Sequence, residues 1–396
     1  MENTVRTAIV GVGNIGRAHV DTLLNTPSAK LVGVCDQNAE RAEAAAVHAG
    51  AECSAFTDYE TMMDTAAPEA VIVATPHYQH VPVSIAAAER GLHLLVEKPL
   101  AVHGADARRI CEAVRIARET KPELVFAVML NQRTYGHWRK IKDLIDSAEL
   151  GRLVRATWII TDWFRTQHYY STGGWRATWA GEGGGVLLNQ CPHNLDLYQW
   201  FFGMPKRVTG HAGFGKYHDI EVEDEVTAFF EHENGMVGHF ITSTGESPGT
   251  NRLEIVGEHG RLTFENDEIR FLRNRTSMLD FLKQSKESFT TVESWPCSVP
   301  YTHHGEPGHR QIIEAFLAAI RTGAELYAHG EEALNSVLLG NAIMTSAMTE
   351  EKKKTVTIPF DESEYEQMLL RLADQSRYDP NAVQNAGEVE DLSASF

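Results

Sequence analysis

The sequence predicts an α/β chain: a doubly wound parallel sheet comes first, then a larger α+β domain with an open, mostly antiparallel sheet. Three observations carry this. Over residues 1–128, short β-branched runs alternate with alanine-rich amphipathic runs, the signature of strands joined by crossover helices. A G-x-G-x-x-G run falls in the first strand-to-helix turn. From residue 129 the alternation gives way to paired strand runs around turns, at Asn234-Gly235 and at Gly260, which is hairpin chemistry.

Taken in order, residues 4–10 (TVRTAIV) read as the first strand, and the helix after the glycine turn includes HVDTLLNT. KLVGVCD is the second strand. The alanine-rich residues 38–50 are a helix closed by Gly50. EAVIVAT is a strand, residues 80–91 a helix ending at Gly91, and HLLVEKP a strand. Residues 105–120 are helical, and ELVFAVML is the last strand of this domain. In the second domain, residues 129–378, a helix ends at Gly151 and RLVRATWIITDWF is a long strand. The two hairpin regions follow, then helices over 308–323 and 333–350. The acidic, small-residue-rich stretch 379–396 reads as a flexible tail or an arm on a partner subunit.

The glycine run carries chemistry. Gly11 permits the tight turn, Gly13 leaves room for a pyrophosphate, and Gly16 lets helix and sheet approach closely. The helix that opens at Asn14 and Ile15 turns backbone N–H groups and a favourable dipole toward a phosphate. Asp36 ends the second strand, twenty positions after Gly16. Its carboxylate accepts hydrogen bonds from ribose hydroxyls and repels a 2′-phosphate, so NAD is expected over NADP, although Arg41 lies near enough in sequence to pair with such a phosphate.

With Thr75-Pro76, His77 and His80 after the third of these strands and Glu97-Lys98-Pro99 after the fourth, the chain resembles the glucose–fructose oxidoreductase / inositol dehydrogenase (Gfo/Idh/MocA) family. Residues 183–196, GGGVLLNQCPHNLD, resemble that family's G-G-G…D-x-x-x-H-x-x-D segment. The resemblance spans about residues 5–370. It implies an N-terminal Rossmann domain, a cis bond before Pro99, and Glu97 and Lys98 at the nicotinamide. His77 and His80 then stand beside the cofactor or open a helix. The resemblance makes His193 the catalytic histidine, with Lys98 as its partner across the cleft.

Oxidising an alcohol needs a base for the hydroxyl proton, and histidine titrates near neutrality. On a continuous helix Asn189, His193 and Asp196 share one sector, an arrangement that Pro192 complicates. Asn189 stands where the family usually has Asp. An amide cannot stabilise an imidazolium as a carboxylate does, so more of the proton transfer shifts to Lys98, whose pKa a neighbouring positively charged nicotinamide would lower.

Residues 161–185 gather Trp163, Phe164, Arg165, His168, Tyr169, Tyr170, Trp175, Arg176 and Trp179 among glycines. Aromatic faces with polar donors suit sugar rings, or pack in a core or interface. Arg165, Tyr169, Trp175 and Arg176, with Asn189 and Gln132, are the candidate substrate contacts; the two arginines also suit a carboxylate or phosphate. Asn131 and Arg133, flanking Gln132, are further candidates for the cleft wall. His303, His304 and His309 read as a solvated loop rather than a metal site, because no cysteine or carboxylate completes a set.

The net charge of −18 disfavours nucleic acid and anionic membranes as partners. No apolar run is long enough to cross a bilayer, and the N-terminus lacks a signal-peptide pattern, so a cytoplasmic location is expected. The five scattered cysteines read as reduced thiols. The expected function is NAD-dependent hydride transfer at a secondary hydroxyl of a sugar, polyol or cyclitol, in a homodimer or homotetramer assembled through the C-terminal sheet. Two alternatives stand beside it: an NAD-dependent glycosidase working by transient oxidation and elimination, and a non-catalytic NAD-binding regulator.

Overall fold

The computed structural model describes residues 4–172, 174–303, 305–349 and 354–379. The expected tail from residue 380 onward, and His304, lie outside the described residues. The first domain contains β1 (Val5–Val10), α1 (Asn14–Leu24), β2 (Ala29–Cys35), α2 (Ala39–Ala49), β3 (Ser54–Phe56) and α3 (Tyr59–Ala66). It continues through β4 (Ala70–Val73), α4 (His80–Glu89), β5 (His93–Val96), α5 (Gly104–Thr120) and β6 (Phe126–Val128). All six strands are parallel, in the order β3-β2-β1-β4-β5-β6. β1, β4, β5 and β6 are buried on nearly every residue, as a sheet covered by helices on both faces requires. The order reverses between β1 and β4, and the crevice for ligands opens beyond the carboxyl ends of these strands.

The second domain contains α6 (Gly136–Asp146), β7 (Leu153–Ile160), α7 (Gln167–Ser171), α8 (Pro192–Phe202), β8 (Arg207–Phe214), β9 (Glu223–Glu231) and β10 (Val237–Ser243). Then come β11 (Asn251–Gly257), β12 (Gly260–Glu265), β13 (Glu268–Asn274), α9 (Met278–Gln284), β14 (Ser294–Val299), α10 (His309–Thr322), α11 (Ala333–Met348), β15 (Val356–Thr357) and α12 (Glu362–Asp374). The nine-stranded sheet runs β14-β13-β12-β11-β7-β10-β9-β8-β15; every described pairing is antiparallel except β7 with β10. Burial alternates along β7, β9, β10 and β11, so one face packs under helices and the other stays half-exposed. Leu195, Tyr198 and Phe201 of α8 meet Val226, Phe230 and Phe240 on the packed face.

Two late elements return to the first domain. Ile312, Ile313, Phe316 and Leu317 of α10 complete the core around Ile9, Ile72 and Leu95. Ala333 and Val337 of α11 join the cluster of Leu94, Val96 and Phe126. The two halves are therefore tied by shared cores.

Sequence periodicity did not reveal β3, α3, β8, β13, β14 or α12. β3 has three residues, too few for a period-two signal. α3 and α12 are capped by Asp58 and Asp361, whose side chains accept from Thr61 and Ser363 N–H groups, so their starts are written in local chemistry.

The stretch 189–196 also differs from the continuous helix expected. α8 begins at Pro192, which occupies the first helical turn where its missing N–H costs nothing. Asn189 sits in the preceding turn. Asp196 faces away from the cleft chemistry: it holds Arg133 through two bonds of 2.7 and 2.8 Å, with both side chains 1% exposed. Arg133, expected beside the cleft, also pairs with Glu332 and so locks α8 to the start of α11. Removing one partner of such a buried pair costs about 3–5 kcal/mol.

Candidate active site

One cleft of about 860 Å³ lies between the domains. At its first-domain end the glycines behave as their spacing implies. A Cβ on Gly11, whose φ is +92°, would lie 2.5 Å from the Ala74 carbonyl oxygen, and one on Gly16 would lie 1.9 Å from that of Gly11. A Cβ on Gly13 would meet no protein atom within 4 Å. Gly11 and Gly16 are thus dictated by packing, whereas Gly13 faces open space at the N-terminus of α1. Asn14 and Ile15 line the cleft beside it. That cradle fits a pyrophosphate.

Asp36 is fixed by two backbone donors, Val12 N at 3.0 Å and Asn38 N at 2.9 Å, with the Arg41 guanidinium 3.6 Å away. Its carboxylate lines the same cleft. Beyond β4, Thr75, Pro76 and His77 form the next wall. His80 lies beneath them, fully buried, its two ring nitrogens 2.8 and 2.9 Å from the carbonyls of Pro99 and Thr75. Burial lowers its pKa and the two carbonyls oppose that. His80 is the brace between the Thr75 turn and the end of β5.

The Lys98–Pro99 bond is cis. Glu97 points inward, where His19 bonds its carboxylate at 2.7 Å. Burial would raise Glu97, but the His19 bond and the charges of His19, His309 and Lys98 outweigh it and hold the pKa at about 2. Lys98 reaches across the cleft: Nζ donates to the Asn189 carbonyl at 2.8 Å. Burial lowers its pKa, with Arg176 and Arg165 lowering it further against Glu97 and Glu182.

From the second domain, His193 joins the lining on the first turn of α8. Its Nδ1 is buried without a partner, and burial, then the charges of Lys98 and His309, push its pKa well below 6.5. No carboxylate touches the ring among the described residues.

Glu182 is a residue that sequence reasoning passed over. It is 1% exposed and accepts from the Ala177 N–H at 2.6 Å and from the Asn189 amide. Its backbone carbonyl lies 3.1 Å from His77 Nδ1. Burial raises its pKa while Arg176 opposes. The carboxylate missing at position 189 is therefore present one layer behind, on the loop ahead of the glycine run. The run itself has a packing cause: Gly185 N and Leu187 N donate to the buried Glu223 carboxylate at 2.9 and 3.1 Å, and a Cβ on Gly185 would strike the Glu223 carbonyl at 2.0 Å.

Of the aromatic segment, Trp163, Arg165, Tyr169, Trp175 and Arg176 line the cleft. Tyr170 and Trp179 turn into the core, and Phe164 and His168 face solvent. Gln132 lies outside the cleft lining: it sits in a short turn whose neighbours Asn131 and Arg133 are directed inward. His309 belongs to the cleft rather than to a solvated loop. It opens α10, its ring is 5.7 Å from that of His19, and burial lowers its pKa to about 4. His303 accepts from Gly136 N at 3.2 Å and packs on Tyr135 and Tyr301. Residues of α12, among them Glu366 and Leu369, close one side of the cleft, another contribution that local sequence did not announce.

Comparison with known proteins accords with this geometry. Residues 5–121 match the oxidoreductase family with an NAD-binding Rossmann fold, and residues 138–263 match the GFO/IDH/MocA C-terminal domain. The chain is 26% identical to a levoglucosan dehydrogenase of Pseudarthrobacter phenanthrenivorans, over 88% of this chain and 97% of that protein. It is 26% identical to a scyllo-inositol 2-dehydrogenase (NAD(+)) of Bacillus subtilis, over 73% and 83%. Among solved structures, the WlbA dehydrogenase from Bordetella pertussis in complex with NADH and UDP-GlcNAcA aligns with a TM-score of 0.74 at 25% identity, over 90% of this chain and all of that one.

Proposed function

The chain belongs to the Gfo/Idh/MocA family of oxidoreductases, and from that premise we propose that it is an NAD-dependent dehydrogenase acting on a secondary hydroxyl of a sugar, polyol or cyclitol. The observation that carries the reading is the meeting of Lys98 from the first domain with Asn189 and His193 from the second in the cleft that also holds the glycine cradle. The relatives named above act, by name, on levoglucosan and scyllo-inositol, which supports the substrate class.

NAD, when bound, supplies the hydride acceptor; Gly13, Asn14 and Asp36 would hold it. The chain's own residues handle the proton. Sequence reasoning made His193 the base, but no carboxylate contacts that ring among the described residues, and burial with the charges of Lys98 and His309 outweighs the opposing charge of Glu97 and disfavours an imidazolium. Lys98 has Glu97 and Glu182 within electrostatic reach and a pKa already lowered by burial. In this reading the free amine of Lys98 takes the hydroxyl proton. His193, through the ring nitrogen other than the buried Nδ1, hydrogen-bonds the same oxygen and aligns it. Glu182 accepts from the Asn189 amide and so leaves Oδ1 to receive a second substrate hydroxyl.

Two measurements test the reading. The purified chain, screened with NAD against free sugars, inositols and aryl glycosides, is expected to produce NADH steadily from a free sugar or cyclitol; release of aglycone without net NADH would replace dehydrogenation by redox-neutral cleavage. For the cofactor, kcat/KM is expected to favour NAD over NADP, and Asp36→Ser to raise the KM for NAD by about tenfold or more, the value of a charge-assisted hydrogen bond. A native preference for NADP would overturn the role given to Asp36.

A further inference from the structure

Arg165 and Arg176 are held in a way that differs from other arginines of the second domain. Arg155, Arg207, Arg252, Arg270, Arg273 and Arg275 each pair with a carboxylate. Arg165 and Arg176 form no ion pair with any described residue. Among the described residues each uses one of its five donors: Arg165 Nη1 on the Phe164 carbonyl at 3.0 Å, Arg176 Nη1 on the Tyr169 hydroxyl at 2.8 Å. Both guanidinium groups lie over the Tyr169 ring, at 5.2 and 4.7 Å from its centre. Trp163 carries Arg165 at 5.6 Å, and Trp175 carries Arg176 at 4.8 Å.

The shared aromatic ring holds two like charges near each other without neutralising either. Such an arrangement costs Coulomb energy unless an anion completes it. The cost extends to Lys98, since both arginines disfavour its ammonium. Glu182 and Asp162 feel Arg176 and Arg165 electrostatically without reaching ion-pair contact. In a chain of net charge −18, a cationic spot confined to a cleft wall is directed at a ligand rather than at general solubility. The aromatic supports leave the planar forks pre-organised, the geometry that grips a carboxylate or phosphate through paired bonds.

We propose that the substrate is an anionic sugar, whose carboxylate or phosphate seats between Arg165 and Arg176 while its reacting hydroxyl meets Lys98. This rests on the dehydrogenase reading above and narrows it. The hydroxyl and the anionic group are then recognised by separate residues, so affinity and chemistry separate in the test.

The test uses the full chain saturated with NADH, titrated calorimetrically with D-glucuronate, D-glucose 6-phosphate and D-glucose. At least one anionic sugar is expected to bind about 10- to 100-fold more tightly than glucose, the range of charge-assisted hydrogen bonds. Preference for glucuronate identifies a carboxylate, and preference for the phosphate a phosphoryl group. Arg165→Gln with Arg176→Gln is expected to abolish the preference and leave the Kd for NADH unchanged. Equal binding of glucose, no binding of either anion, preference retained in the double variant, or loss of NADH binding in it would each overturn the proposal. Arg176→Lys, which keeps the charge but not the fork, is expected to retain part of the preference and guards against misfolding of the double variant. Turnover of a neutral sugar with NAD would leave the dehydrogenase reading standing while the anionic-sugar proposal fell. Anion binding without any NAD-linked turnover would overturn the dehydrogenase reading and leave the two arginines only as an anion seat.

Discussion

Lys98→Met is expected to lower the rate of alcohol oxidation by roughly 10³-fold, within the range of a lost general base, while leaving NAD binding intact. Methionine keeps the length of the stem, so packing changes little and the loss reports on the amine. Lys98→Arg is expected to be as inactive as Lys98→Met, because a guanidinium carries charge but cannot give up its proton. The pH profile sharpens this. Burial, Arg176 and Arg165 lower the Lys98 pKa below 10.5 against Glu97 and Glu182. Oxidation needs the free amine, so its rate rises as pH rises through that lowered pKa. Reduction of the ketone needs the ammonium and falls over the same interval. Both limbs vanish in the methionine variant. An arginine variant with near-native turnover would make the residue an electrostatic anchor and move the proton elsewhere.

The sequence made the first-domain half of this site readable because its constraints are local. Gly11, Gly13 and Gly16 answer to one turn, and Asp36 is held by Val12 and Asn38, next to that turn and to itself. Lys98 ends a strand whose neighbours fix where it points. The second-domain half depends on contacts between segments far apart. Lys98 reaches Asn189 across 91 positions, and the His77 ring reaches Glu182 across 105. His309 comes to Glu97 and His193 only because α10 crosses back to the first sheet, a step that no periodicity encodes. Glu182 left one trace, a carboxylate set directly before a glycine run. Its burial against Asn189 depends on a turn closed by Glu223, which follows 41 positions later. The helical sector drawn through Asn189, His193 and Asp196 failed for a local reason that was visible: Pro192 starts a helix more readily than it continues one.

His193→Ala is expected to lower kcat by roughly 10²-fold, less than the lysine variants, without moving the alkaline limb. The ring contributes a hydrogen bond and a position, not a proton that titrates in the working range. Burial, Lys98 and His309 hold its pKa well below 6.5, so no ionisation of His193 appears in the ordinary histidine range. Sign and window follow: protonation would begin only in more acidic solution, where it would place a second cation against Lys98 and reduce activity. His193→Asn, which keeps a hydrogen-bonding group near the same place, is expected to recover part of the lost kcat. Rescue by asparagine separates the two roles that histidine can play here, because an amide can align a hydroxyl but cannot accept its proton. An acidic limb near pH 6.5 in the native chain that disappears in His193→Asn, with no rescue of kcat, would return the proton to the imidazole. Lys98 would then be left to hold the substrate oxygen.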